Sequence, residues 1–152
     1  MQTFYEALLD RLGELHREVL KSLEELPPEA LDWKAGSEMN SLSVLITHLS
    51  GAERFWVGDV VTGESSHRDR EAEFRVSGLS VETLKQRIRN LEDFEKGTFE
   101  KMGLSDLEEK RTLEDGREYS VAWALSHALE HSAIHVGHIQ MLSQLWKQRK
   151  EV

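Results

Sequence analysis

Four long segments of the chain repeat their apolar residues with the period of an α-helix, and this repetition constrains the fold more than any other feature. The segments cover about residues 3–26, 41–57, 81–99 and 120–147. Each segment is amphipathic, so it must bury its apolar face against the others. We therefore predict an all-α fold, a four-helix bundle.

Capping and helix-breaking residues mark the ends of these segments. Pro27-Pro28 ends the first, because proline lacks the backbone N–H that a helix interior needs. Asn40 or Ser41 is placed to cap the second segment, and Ser80 to cap the third. The residues of the first segment expected to face the core are Phe4, Leu8, Leu12, Leu15, Val19, Leu20 and Leu23. Those of the fourth segment are Leu125, Leu129, Ile134, Met141, Leu142 and Leu145.

The longest connection lies between the second and third segments. It covers about 17 residues, 62–78, and shows no clear periodicity. A loop of this length is unusual in a compact bundle and is often functional or mobile. We therefore predict a long crossover between the second and third helices. Before the fourth segment, Asp115-Gly116 lies between short runs with Thr, Leu, Tyr and Val, so a small hairpin is an optional addition.

Length and charge narrow the classes of function. The chain of 152 residues fits a single domain, 1–152, that can bury a sizeable core. Lys and Arg number 19 against 28 Asp and Glu, which gives a formal net charge of −9. Nucleic acid and anionic membrane surfaces are therefore poor partners, because no basic block offsets this acidity.

The chain has no cysteine, no recognisable signal peptide and no window near the ~20 apolar residues of a membrane-spanning helix. Without disulfides, the fold needs no oxidising compartment. We therefore expect a cytoplasmic protein. Any metal ion must be held by His, Asp or Glu, because thiolate ligands are absent.

Histidine is concentrated in the fourth segment, where "HALEHSAIHVGHIQ" contains His127, His131, His135 and His138. His131 and His135 lie about one helical turn apart on one face, so their imidazoles can converge on one cation. By the same spacing rule, His138 falls on this side together with apolar residues such as Ile134. We therefore expect the histidine face to point into the bundle.

A candidate third ligand is His48 in the second segment. It lies on or near the apolar stripe beside Leu45 and Leu49, where a buried imidazole needs a partner. Three histidine nitrogens would leave coordination positions open for water or substrate, as catalytic sites require. His48, His131 and His135 are therefore our predicted metal ligands.

Simpler interpretations stay open for the same residues. His48 alone could be a hydrogen-bonded core histidine, and the pair His131 and His135 could be solvated or hydrogen-bonded without a metal. His127 and His138 are expected at the surface or beside the ligands, because imidazoles at every turn cannot all reach one ion.

Other polar and aromatic residues receive weaker assignments. His16 and His67 are expected at the surface. Glu53 and Glu130 could each orient an imidazole, although Glu53 could instead pair with a neighbouring arginine. The two aromatic residues expected in the core or in a pocket wall are Trp56 and Trp123.

Three stretches span nearly the whole chain, in the order "LPPEALDWKAG", "NSLSVLITHLSGAERFW" and "HSAIHVGHIQ". In their order and spacing they resemble the DinB-like (YfiT-like) superfamily of metal-dependent proteins. The resemblance implies a four-helix bundle with a long crossover, commonly a homodimer, which binds a divalent ion such as zinc or nickel through three histidines. By position these are His48, His131 and His135. Many relatives have Gln where this chain has His138 after Gly137.

The resemblance also implies chemistry, since characterised members include transferases and isomerases that use low-molecular-weight thiols. Our first hypothesis is a metal-dependent enzyme in which the ion activates a thiol or water to attack an electrophilic small molecule, as a thiol transferase or a hydrolase. The alternative is a non-catalytic binding or stress-associated module in which the ion clamps the second helix to the fourth. A general acid or base cannot be assigned from the sequence, and Glu53 and His138 are only candidates.

Overall fold

The computed structural model describes residues 1–149 and confirms an all-α bundle of four long helices. The helices and strands are, in chain order, α1 (Thr3–Glu25), α2 (Leu42–Arg54), α3 (Arg70–Glu73), α4 (Val81–Phe99), β1 (Lys110–Thr112), β2 (Glu118–Ser120) and α5 (Val121–Gln148). A π-helix, Phe55–Thr62, continues α2, and 3₁₀ turns cover Pro28–Ala30 and Leu104–Glu108. No helix within residues 1–149 is long and apolar enough to cross a membrane.

Serine side chains cap three of the four long helices. Ser41, Ser80 and Ser120 each accept a hydrogen bond from the backbone N–H three residues further on. Each cap satisfies a donor that the first turn of the helix would otherwise leave unpaired. The predicted starts of the second, third and fourth long helices are therefore confirmed. The start of each helix fixes the positions of its side chains along the axis of the bundle.

Both connections that the sequence singled out are structured. β1 pairs antiparallel with β2, with Arg111 opposite Tyr119, and Gly116 makes the turn at a φ of 83°. The crossover contains α3, where the Asp69 side chain caps the helix through the Ala72 N–H. Because α3 packs against α2, the long connection contributes side chains to the same region as the second helix.

The buried face of α5 differs from the predicted one. Ile134 is 52% exposed, Met141 60% and Leu145 38%, so their assignment to the core is wrong. The buried residues are Val121, Ala124, Leu125, Ala128, Ser132, Val136, Ile139, Leu142, Ser143 and Trp146. The small side chains in this set let α5 pack closely against α1 and α2. α5 carries apolar residues on more than one side, so the apolar periodicity of its sequence does not show which side packs against the bundle.

α1 buries most of the predicted stripe, including Leu8, Leu12, Val19 and Leu23, but differs from it at two positions. Phe4 is 41% exposed, and Tyr5 is buried in its place. The buried residues of α1 are Tyr5, Leu8, Leu12, His16, Val19 and Leu23. The predicted surface position of His16 is therefore wrong, because it lies between Leu12 and Val19 on the face that packs into the bundle.

Candidate metal centre

The three predicted ligands converge in the structure. His48 projects from α2, and His131 and His135 project from successive turns of α5. One ring nitrogen from each histidine lies within 4.8 Å of the other two, and the ring centroids are 4.4 to 5.0 Å apart. Zinc binds imidazole nitrogen at about 2.0–2.1 Å, so ligands around one ion lie roughly 3–4 Å apart. Small ring rotations would bring the three nitrogens to that spacing.

The three histidines lie at the boundary of the core. His48 is 6% exposed, whereas His131 and His135 are half-buried. On α5 they lie beside the buried Ser132 and Val136, so they border the packed face and do not occupy its centre. The cluster can therefore be reached from outside the bundle, unlike a group in the middle of the core.

A buried carboxylate orients His48. An oxygen of Glu73, at the end of α3, lies 2.8 Å from Nδ1 of His48, and Arg68 donates two hydrogen bonds of 2.6 and 2.8 Å to the same carboxylate. Burial raises the pKa of Glu73, but the hydrogen bonds from Arg68 and then His48 outweigh it and lower the pKa below its usual value. With Nδ1 engaged by Glu73, Nε2 is the nitrogen of His48 left for a metal, the arrangement common in zinc sites.

Gly51 makes room for this carboxylate. It lies on α2, and a Cβ at this position would collide with the Glu73 carboxyl group. Only a residue without a side chain allows α3 to place its carboxylate against His48 in the observed position.

The α5 pair is held in the protonation state that binds metal. Burial, followed by the neighbouring histidines, lowers the pKa of both His131 and His135 to about 4. Both rings are therefore neutral at pH 7, as metal ligands must be. Their Nδ1 atoms are buried and have no hydrogen-bond partner in the described part of the chain. Buried polar atoms without partners are costly, so this donor set fits a bound divalent cation.

A cavity of about 830 Å³ opens beside the histidines and has His48 and His131 in its wall. Trp56 supplies apolar surface, and Arg68 and Arg117 supply positive charge. This volume is in the range of sites for small molecules. The cavity joins the histidine cluster to a space that a substrate can occupy.

An aromatic row extends from this cavity along α5. The Trp123 ring stacks on Tyr119 at 4.3 Å and on His127 at 4.9 Å, and Trp56 meets His127 edge-on at 4.7 Å. Trp56 lines the cavity, as predicted for a pocket wall, whereas Trp123 is 45% exposed and covers the row from outside.

The remaining histidines of α5 lie outside the cluster of three. His138 is exposed, with its ring centroid 5.4 Å from that of His135. His127 lies 3.6 Å from the exposed Glu130, which is too far for a hydrogen bond, so Glu130 does not orient one of the three converging histidines in this structure. His67 is exposed, as expected.

The carboxylate beside His48 is not the one that the sequence suggested. Glu53 does not orient His48, because it contacts His16 at 2.7 Å and accepts a hydrogen bond from Ser132. Glu73 does so instead. Sequence reasoning missed Glu73 because the crossover has no periodicity, and the only signal was its unusual length.

Comparison with known proteins identifies the family and the fold. Residues 7–148 match the model of a family described as mycothiol-S-transferase. No curated protein matches the chain. A DinB-like protein from Bacillus subtilis is similar in structure, with 12% identity, a TM-score of 0.73 and coverage of 96% of each chain.

YfiT from Bacillus subtilis, described as "a probable metal-dependent hydrolase with an unusual four-helix bundle topology", has 14% identity and a TM-score of 0.77, with 98% of this chain and 91% of that chain covered. A mycothiol-dependent maleylpyruvate isomerase has 17% identity and a TM-score of 0.67, with 91% and 63% covered. These structural likenesses show the fold, and the match over residues 7–148 shows the family. The chain belongs to the mycothiol-S-transferase family, within the DinB-like superfamily of four-helix bundles.

Proposed function

We propose that the chain is a metal-dependent enzyme that uses a low-molecular-weight thiol to attack an electrophilic small molecule. His48, His131 and His135 would hold the divalent ion. The observation that carries the proposal is the convergence of three histidine nitrogens beside a cavity of substrate size. The description of its family, mycothiol-S-transferase, favours a thiol as the co-substrate.

The ligand set supports catalysis more than a closed structural site. Within the described residues, no fourth histidine or carboxylate joins the cluster of three, so coordination positions stay open. When bound, a divalent ion lowers the pKa of a thiol or water beside it, so that the nucleophile ionises near neutral pH.

The surrounding side chains have separate tasks in this proposal. Glu73 holds the His48 ring, and Arg68 holds Glu73. Trp56 excludes water from one side of the cavity. The group that accepts the thiol proton is not assigned.

The test is thiol-dependent turnover by metal-loaded protein without a histidine tag. We expect consumption of an electrophile such as monobromobimane only when mycothiol or another small thiol is present, at a rate above the uncatalysed reaction. His135→Ala should abolish it. His138→Ala is the matched control, because it removes an exposed histidine of the same helix that neighbours His135 but is not one of the three whose nitrogens converge.

Two alternatives predict other results. A metal-dependent hydrolase, as YfiT is described, would turn over its substrate without any thiol. A non-catalytic, metal-clamped module would bind metal and lose thermal stability on chelation but show no turnover with any thiol. Failure of the protein to take up metal would contradict all three functions.

Zinc or nickel is the ion we propose, because three imidazole nitrogens suit both metals. Elemental analysis of untagged protein distinguishes them. We also propose a homodimer formed through the outer face of α5, where Ile134, Met141 and Leu145 are exposed in one row. Sedimentation of the wild type and of Met141→Glu tests it, since a charge in that row should yield monomers. Location in the cytoplasm stays a prediction.

A further inference from the structure

A second polar cluster lies inside the bundle, outside the centre described above. His16 from α1, Glu53 from α2 and Glu95 from α4 are each 0% exposed. Each offers one ligand atom, and these three atoms lie within 4.8 Å of one another. Ser132 of α5 donates a hydrogen bond to Glu53, so all four long helices contribute to the cluster.

Glu95 is the unusual member of this cluster. Both of its carboxylate oxygens are buried without a hydrogen-bond partner in the described part of the chain. A buried carboxylate with neither a hydrogen-bond donor nor a cation beside it is among the costliest groups that a core can contain, so Glu95 must either bind a cation or carry a proton. Burial, and then the Glu53 carboxylate beside it, raise the pKa of Glu95 well above its usual value.

The imidazole of His16 faces a carboxylate on each of its nitrogens. Its Nε2 is hydrogen-bonded to a Glu53 oxygen at 2.7 Å, while its Nδ1 lies 3.3 Å from a Glu92 oxygen at the edge of the cluster. Loss of the proton between Nε2 and Glu53 would leave that nitrogen directed at a space bordered by Glu53 and Glu95, where a cation could be bound.

We propose that His16, Glu53 and Glu95 form a second divalent-cation site in the core of the bundle, separate from the three-histidine centre. One neutral imidazole and two carboxylates balance the charge of a divalent ion, so binding would release the proton that Glu53 and Glu92 hold on His16 and any proton on Glu95. Oxygen-rich sets of this kind suit manganese, ferrous iron or zinc. Facing helices of bundles build metal sites from Glu and His in the same way.

The competing explanation is a buried hydrogen-bond network in which Glu95 carries a proton and donates it to Glu53. Glu95→Gln separates the two, because a glutamine amide donates the same hydrogen bond but replaces a charged ligand with a weak neutral one. Glu100→Gln is the matched control, since it makes the same chemical change at an exposed position just beyond α4.

The experiment counts zinc by elemental analysis after equilibrium dialysis of the untagged full chain, in the His135→Ala background that disables the first centre. We expect that background and its Glu100→Gln derivative to retain one zinc per chain, and the Glu95→Gln derivative to lose it, with helix content checked by circular dichroism. Wild-type protein should bind two. If His135→Ala alone binds no zinc, or if Glu95→Gln retains the ion equally, the second site does not exist. The count in His135→Ala itself decides the question should Glu95→Gln fail to fold.

Discussion

Glu73 provides the sharpest test of how the first centre is built. In Glu73→Ala, His48 loses the 2.8 Å contact that fixes its ring, and Arg68 loses both hydrogen bonds to the carboxylate. Removing a carboxylate that orients a metal-bound histidine costs about 10–100-fold in affinity, or about 1.4–2.7 kcal/mol. We expect the upper end, because the freed guanidinium lies 3.4 Å from Nδ1 of His48 and adds a positive charge beside the cation.

Glu73→Gln refines the magnitude. It keeps a neutral oxygen that can still accept from His48 but removes the charge that offsets Arg68. A neutral hydrogen bond is roughly half as strong as one to a charged partner, so we expect a loss nearer to tenfold.

The assay is competition for zinc between the protein and a chromophoric chelator at neutral pH. Glu71→Ala is the control, since Glu71 is an exposed carboxylate on the same short helix α3. Equal zinc affinities for Glu73→Ala and Glu71→Ala would refute the orienting role of Glu73. Any loss of affinity shared by the two variants would then reflect the lower negative charge of the protein or damage to α3.

Further predictions concern the same centre and the buried cluster. Gly51→Ala should weaken zinc binding, because the added Cβ displaces the Glu73 carboxylate from His48 and Arg68; unchanged affinity would contradict the packing at this position. In metal-free protein, the low pKa values of His131 and His135, about 4, mean that the unfolded chain takes up more protons, so urea-measured stability should fall as pH decreases from about 6.5 toward 4. Replacing both histidines with Asn should reduce the dependence of this stability on pH between about 6.5 and 4. An unchanged dependence would show that these two histidines do not cause it. The pKa of His16 is raised to about 9 because its contacts with Glu53 and Glu92 outweigh burial, which by itself lowers it; its stabilising contribution should be complete below about pH 6.5 and disappear as pH rises through 9. If the stability of metal-free protein does not fall as the pH rises through 9, His16 is not held as a cation in the folded state. Chelation should lower the melting temperature of loaded protein, and calorimetry that finds no shift would mean that the native chain holds no ion.

Much of the site was visible before the fold was known. The spacing of His131 and His135 indicated a shared face, and His48 on a separate apolar stripe indicated a third ligand. The structure brings these three together because α2 and α5 pack against each other. Ser80 as a cap and the turn at Asp115-Gly116 were also predictable, because their signals are local.

Errors arose where a residue's role depends on which helix faces meet. The outer row of α5, with Ile134 and Met141, was assigned to the core because hydrophobic periodicity counts apolar residues without weighing how closely small ones let helices approach. His16 was assigned to the surface because it is polar, although it falls in register with Leu12 and Val19. Its burial requires partners from other helices, and no periodicity within α1 reveals them.

The amino-acid sequence by itself determined the four helices, the serine caps of three of them and the shared face of His131 and His135, since each follows from spacing and short-range hydrogen bonding along one segment; His48 was only a candidate whose approach to them depends on how the helices pack. Only the tertiary structure decided that Glu73, from an aperiodic crossover, holds His48 and that Glu53 and Glu95 meet His16 in the core. The physical reason is that these contacts join residues 20 or more positions apart, and their geometry is set by helix packing and by the cost of burying charge without a partner.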